Sequence, residues 1–148
     1  MPVTGTDKIL KALRDKPRVI QERVKEALEQ GAQMVLEDMK ALTPVDSANP
    51  GPHARDGLTI TRDENGLAIH VGLPTPALAT EYFWFRFLDM GTRGREVTYR
   101  KAGSRAMHKM QVPPRQPRNI RITALDMNYY EIERLVKRAI QMGLEDKR

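Results

Sequence analysis

The side chains that could support catalysis are scattered along this chain. The three histidines, His53, His70 and His108, lie far apart in the sequence and lack the spacing of metal ligands. The absence of cysteine removes thiol catalysis and thiolate metal sites. Neither Ser47 nor Ser104 has an adjacent base, so no set of nucleophile, base and orienting group is present. We therefore predict a protein that is not an enzyme and that holds no metal or cofactor.

Two less favoured alternatives stay open from these residues. A metal could bind at His53 together with Asp56, in a segment rich in proline and glycine. An enzyme, in the form of a nuclease, could use Asp89, Glu96 or His108. His70 lies in a predicted strand, and we interpret it as an exposed strand residue.

Positive charge is concentrated in one part of the chain. Residues 92–121 carry nine basic side chains and one acid, Glu96, for a net charge of +8. The other 118 residues carry 16 basic and 18 acidic side chains, or −2. This asymmetry indicates a polyanionic or acidic partner, and a solvated arginine-rich loop is the alternative of equal weight. The nine basic residues are Arg93, Arg95, Arg100, Lys101, Arg105, Lys109, Arg115, Arg118 and Arg121.

The basic segment would bind nucleic acid through phosphate contacts, which do not depend on base sequence and weaken with salt. The segment contains a single aromatic residue, Tyr99, so binding through the stacking of bases is poorly supported. The segment has no zinc-finger or helix-turn-helix pattern. Contact with the backbone of duplex DNA and docking onto an acidic protein surface both stay open.

An aromatic run precedes the basic segment and leads into the box Phe87-Leu88-Asp89-Met90-Gly91-Thr92. All Phe and Trp residues lie within residues 83–87, which predicts that the core packs there, an exposed binding patch being the alternative. Asp89 is expected to pair with Arg86 or to anchor a turn. Gly91 is expected to turn the backbone sharply, so that the chain leaves the core as a charged loop.

Hydrophobic periodicity predicts the helices that position these residues. Thr6 or Asp7 can cap a short helix that extends to Leu13. A long amphipathic helix is predicted over residues 17–42, and a last helix over residues 121–142. The pair Thr123 and Asp126 resembles a capping box for that last helix. The apolar stripes are Ile20, Val24, Leu28, Val35, Met39 and Leu42 in the long helix, and Leu125, Tyr129, Ile132, Val136 and Ile140 in the last one.

The middle of the chain predicts a hairpin and its connections. Residues 58–62 and 67–72 are short strand patterns, and the Asn-Gly turn between them favours a β-hairpin. Residues 44–57, rich in proline and glycine, predict a loop. Residues 77–90 favour a short helix or turn that leads into Gly91.

Length and the remaining segments favour one domain over residues 1–148. Residues 93–118 predict a long basic loop or flexible arm, within which residues 97–100 and 106–110 could pair. We expect no signal peptide and no membrane-spanning segment.

The order of these elements resembles that of a family of tailed bacteriophages and prophages. Its members are neck or tail-completion components, also called head–tail joining proteins, minor tail protein Z-like or gene-product-ten-like. The box of this chain is similar to the family's Phe-Val-Glu-Phe-Gly-Thr-like box, although Asp89 and Met90 stand where Glu and an aromatic residue are usual. The other similar segments are residues 5–13, Pro17, residues 41–46, residues 57–60, Val71-Gly72, residues 82–87, residues 113–117 and residues 121–142.

The resemblance implies an α+β fold, in which the long N-terminal helix and the C-terminal helix pack on a small antiparallel β-sheet. It implies a structural virion protein that acts in tail completion or head–tail joining, at the neck or the head-proximal end of the tail, after assembly in the host cytoplasm. The implied partners are other copies in a six-membered ring, the head adaptor or stopper, and the tail terminator or tube, with DNA in the lumen as a further contact. The alternative function is that of a small DNA-binding protein, which would contact DNA through residues 93–118.

Overall fold

The computed structural model describes residues 17–100 and 102–146, and it has an α+β architecture. The short helix predicted before residue 14 and the residue Lys101 lie outside the described residues. The elements in chain order are α1 (Pro17–Leu42), α2 (Ala54–Gly57), β1 (Thr59–Arg62), β2 (Ile69–Gly72), α3 (Pro76–Glu81), α4 (Phe83–Met90), β3 (Arg95–Arg100), β4 (Met107–Val112) and α5 (Ile120–Glu145).

The two long helices, α1 and α5, pack against each other in antiparallel orientation. Gly31 and Gly143 lie in this interface, where a Cβ atom would come 2.8 Å from Ile132 Cγ1 and 2.7 Å from Ile20 Cγ1, respectively. Glycine at these positions lets the helices approach closely, because any side chain would overlap the facing isoleucine. Gly31 therefore interrupts the apolar stripe of α1 for a packing reason.

The predicted hairpin of residues 58–72 is confirmed as the antiparallel pair β1–β2, with Ile60 opposite Val71. These two side chains are half-buried and pack on the core beside α1. Arg62 ties the hairpin to α1, since its Nε donates to Glu29 Oε2 at 2.7 Å and its Nη2 donates to Glu29 Oε1. This hydrogen bonding from the Arg62 guanidinium lowers the pKa of Glu29 below its usual value.

The core lies at the end of the helix pair where α1 finishes and α5 begins. Tyr82 and Phe85 are buried there, as the aromatic run predicts, but Phe83 and Phe87 are 61% and 45% exposed. The prediction that the aromatic run is core is thus wrong for Phe83 and Phe87, because only one face of α4 turns inward. The buried cluster comprises Val35, Leu36, Met39, Ala54, Leu58, Tyr82, Phe85, Ile120 and Ala124.

Helix α5 differs from its prediction in its start and in the face that it buries. Its first residue is Ile120, and Thr123 lies inside the first turn with its backbone N–H donating to Asn119 O at 2.8 Å, so the capping box of Thr123 and Asp126 is wrong. Leu125 and Tyr129 of the predicted stripe are 49% and 56% exposed. The buried residues of α5 are Ile120, Ala124, Asn128, Ala139 and Gly143.

The segment 93–118 is not one long loop, because most of it forms the antiparallel hairpin β3–β4, called the arm below. Val97 pairs with Met110, so the pairing of residues 97–100 with 106–110 is confirmed, although the strands are longer than predicted. The segment 44–57, predicted as a loop, ends in the short helix α2. Within residues 17–100 and 102–146, no helix is long and apolar enough to cross a membrane.

Candidate partner-binding site at the base of the arm

The box residues Gly91 and Thr92 join α4 to the arm and fix its base. Gly91 has a φ of 73°, and a Cβ atom there would come 2.5 Å from Arg115 O. Both the turn and this close approach require glycine. Thr92 and Arg115 exchange two backbone hydrogen bonds of 2.9 Å, and Thr92 Oγ1 donates to Pro113 O at 2.7 Å. The two ends of the arm are therefore held side by side.

Asp89 fastens the end of α4 to the start of α5. This residue is 4% exposed, and its carboxylate accepts from the Arg121 backbone N–H at 3.1 Å and from Arg121 Nε at 2.5 Å. Its backbone carbonyl accepts from Asn119 N–H at 3.0 Å. The prediction of a turn anchor holds, but the predicted partner Arg86 is wrong. Arg86 is exposed, and the Asp89 carboxylate is paired with Arg121 instead.

Four arginines line a cleft of about 840 Å³ between α4 and the base of the arm. No acidic residue lines this cleft, which we call the arginine cleft. All four side chains are exposed, and none forms an ion pair with a described residue. The four are Arg86, Arg93, Arg95 and Arg115. The arrangement can bind an anion without first breaking an internal ion pair.

The predicted basic residues are thus partly brought together. Arg93, Arg95 and Arg115 meet in the arginine cleft, whereas Arg100 and Arg105 lie further out along the arm. Lys109 is neutralised, because its Nζ lies 2.8 Å from Glu96 Oε1 across the hairpin. The sequence analysis did not include Arg86 in the basic site. The available signal was the helical spacing of residues 83, 86, 87 and 90, which puts Arg86 on one face with the other three.

An apolar groove of about 470 Å³ adjoins the arginine cleft and shares Phe87, residues 91–93 and Arg95 with it. Alternation along β3 places Val97 and Tyr99 on this side of the arm. Phe83 and Phe87 of α4 form the facing wall, with their rings edge to face and their centroids 6.1 Å apart. The groove is completed by Met110 and Val112 of β4.

The residues of the nuclease alternative do not come together. Asp89 is occupied by Arg121, and Glu96 and His108 lie on opposite faces of the arm by their alternation. Ser104 does have a neighbouring base, contrary to the sequence prediction, since its Oγ lies 3.4 Å from His108 Nε2. That hydroxyl also accepts from Ala106 N–H, as in a local turn. Within residues 17–100 and 102–146, no group of three or more His, Asp or Glu residues could hold a metal ion.

One family model matches the chain, over residues 7–91, and its description is "Bacteriophage HK97-gp10, putative tail-component". The match covers more than half of the 148 residues. The chain belongs to this HK97-gp10-like family. It is therefore a structural component of a bacteriophage tail, associated with the virion, as the resemblance of its motifs implies. No curated protein and no solved structure matches the chain significantly. The family match ends at Gly91, so the arm and α5 lie beyond it.

Proposed function

We propose that this tail component is a subunit of a closed ring at the neck or the head-proximal end of the tail, where it completes the tail or joins it to the head. The observation that carries the proposal is the presence of two separate apolar surfaces on one small phage tail component. The proposed partners are other copies of the chain, six in the ring, together with the head adaptor or stopper and the tail terminator or tube. The proposed role is assembly, without catalysis.

The first apolar surface is the outer side of the first half of α5. Ile122 and Met127 are each 63% exposed, and Tyr130 is 81% exposed. Exposed apolar side chains that lie next to one another mark interfaces between proteins. Tyrosine suits such a surface, because its ring buries a large area at a low cost in side-chain entropy.

The second apolar surface is the groove between α4 and the arm. Phe83 exposes 61% of its area, and Phe87 and Tyr99 expose 45% and 44% of theirs. The groove has an apolar floor from Val97 and Val112. A hairpin of two strands is marginally stable alone in water, so a partner that covers this face would also stabilise the arm.

Two different surfaces on one chain favour a head-to-tail contact over a two-fold symmetric one. A head-to-tail contact that closes on itself forms a ring. The outer side of α5 in one copy and the groove of the next copy are the two halves of the contact that we propose.

Electron microscopy of particles made with this gene interrupted tests the role. DNA-filled heads beside separate tails are expected for a joining or completion protein, and tails of abnormal length would instead indicate tail termination. Normal infectious particles would contradict the proposal.

Light scattering on the purified chain tests the ring itself. We expect Tyr130→Ser and Phe83→Ser each to lower the assembled mass, because each removes a large apolar side chain from one half of the contact. Leu67→Ser is the matched control, since Leu67 is 43% exposed at the tip of the β1–β2 hairpin, away from both surfaces. An equal loss of mass in the control, or none in either variant, would contradict the head-to-tail contact.

A further inference from the structure

We propose that the arginine cleft binds the phosphate backbone of nucleic acid. The inference goes beyond the structural role proposed above, and it rests on the cleft alone. It brings in Arg86, which lies outside the basic segment that the sequence singles out.

The cleft collects charge that the fold leaves uncompensated. Arg121 is paired with Asp89, and Lys109 with Glu96, so these two basic residues of the segment are neutralised. The four arginines of the cleft have no such partner among the described residues. Four like charges around one cleft repel each other, and an anion bound between them would relieve that repulsion.

The backbone around the cleft is held in place before any ligand binds. Arg115 belongs to the two-bond bridge with Thr92, and Arg93 directly follows Thr92. Gly94 packs tightly against Pro114, where a Cβ atom would come 2.9 Å from Pro114 Cδ. Arg86 is carried by α4, whose end is fixed to α5 by Asp89. A site with a fixed backbone loses less conformational entropy on binding than a loose loop would.

The side-chain types favour phosphate. All four cationic groups are guanidiniums, whose planar fork of N–H donors matches two oxygens of one phosphate. A DNA duplex carries about one negative charge per 1.7 Å of its axis, so any stretch of it supplies several phosphates to the cleft. A protein segment would need several carboxylates in a row. Arg100 and Arg105 are exposed further along the arm, outside the residues that line the cleft.

The test measures binding of a fluorescein-labelled DNA duplex of random sequence by anisotropy at several salt concentrations. The variant Arg86→Gln with Arg115→Gln removes two charges that line the cleft but not the apolar groove. The matched control, Arg55→Gln with Arg138→Gln, removes two exposed charges elsewhere. We expect the cleft variant to bind several-fold more weakly, and its plot of log affinity against log salt to be shallower by roughly 2, at about 0.9 for each lost phosphate contact.

Chemical protection on the unmodified chain gives a second measurement that does not depend on how the variants fold. DNA should protect Arg86 and Arg115 from phenylglyoxal, as read by mass spectrometry, and should leave Arg138 reactive. Equal effects of the two double variants, or no protection in the cleft, would overturn the proposal. Binding of poly-glutamate but not DNA would also overturn it and would indicate an acidic protein partner. These assays use the isolated chain, so their outcome is separate from that of the gene interruption.

Discussion

Replacing Asp89 tests whether a side chain of α4 caps the helix α5. Asn119, at the N-cap position of α5, has a φ of 52° and makes no capping hydrogen bond through its side chain. The Asp89 carboxylate takes that role, since it accepts from the Arg121 backbone N–H as well as from Arg121 Nε. The helix dipole further favours a negative charge at this end. Asp89→Ala therefore removes a cap, an ion pair and a favourable charge together.

Two separable losses set the expected magnitude. The Arg121 backbone N–H loses its acceptor, which costs about 1–2 kcal/mol, as for other lost N-cap side chains. The Arg121 side chain is 54% exposed. Solvent therefore limits its bond with Asp89 to about 1 kcal/mol. We expect Asp89→Ala to lower the free energy of unfolding by about 2–3 kcal/mol, and Arg121→Ala to lower it by about 1 kcal/mol.

Urea unfolding followed by circular dichroism measures both losses. Asp89→Asn is the matched control, because its amide oxygen can still accept from the Arg121 backbone N–H although it carries no charge. Its loss should fall between those of the two alanine variants. If Asp89→Ala costs no more than Arg121→Ala, the carboxylate does not cap α5 and the reasoning is refuted.

Two further predictions concern packing and pH. Gly31→Ala should lower the unfolding free energy by about 1 kcal/mol, because overlap with Ile132 outweighs the gain in helix propensity. In an Ile132→Ala background this loss should shrink. If urea unfolding shows that the losses of the two single variants simply add in the double variant, the overlap is not the cause. Burial, followed by the charges of Glu81 and Asp56, raises the pKa of Tyr82, so the folded state keeps this proton to higher pH than the unfolded state does. Stability should therefore fall as the pH rises through and above about 10, the ordinary tyrosine pKa. Urea unfolding should show a smaller fall for Tyr82→Phe and an unchanged fall for Tyr130→Phe; an equal fall in all three proteins would contradict the assignment.

The long elements could be predicted because their signals are local. The helix of residues 17–42 has proline at its first position and another proline two residues after its last, and the structure gives the same bounds. The Asn-Gly turn likewise fixes the β1–β2 hairpin, whose register follows from the turn. The glycine at the end of the aromatic run likewise predicts a sharp turn, and Gly91 has a φ of 73°.

The inward face of α5 could not be predicted, because hydrophobicity alone did not decide it. Ala124 and Asn128 are buried in place of Leu125 and Tyr129. Asn128 can be buried because its side-chain Nδ2 donates hydrogen bonds to Asp38 Oδ2 at 2.6 Å and to Ala124 O at 2.9 Å. Small residues on this face let α5 approach α1 closely, and that requirement depends on the partner helix. The larger apolar residues are consequently left on the outer side.

The arginine cleft could not be predicted either, because it depends on contacts between residues that are remote in sequence. Arg86 and Arg115 are 29 positions apart in the sequence, and the bridge from Thr92 to Arg115 and the hydrogen bond from Asn119 to Asp89 bring the end of the arm back to α4. The family match stops at Gly91, the residue where the chain turns into the arm. The part of the chain that matches the family therefore builds one wall of the cleft, and the part beyond it supplies the other arginines.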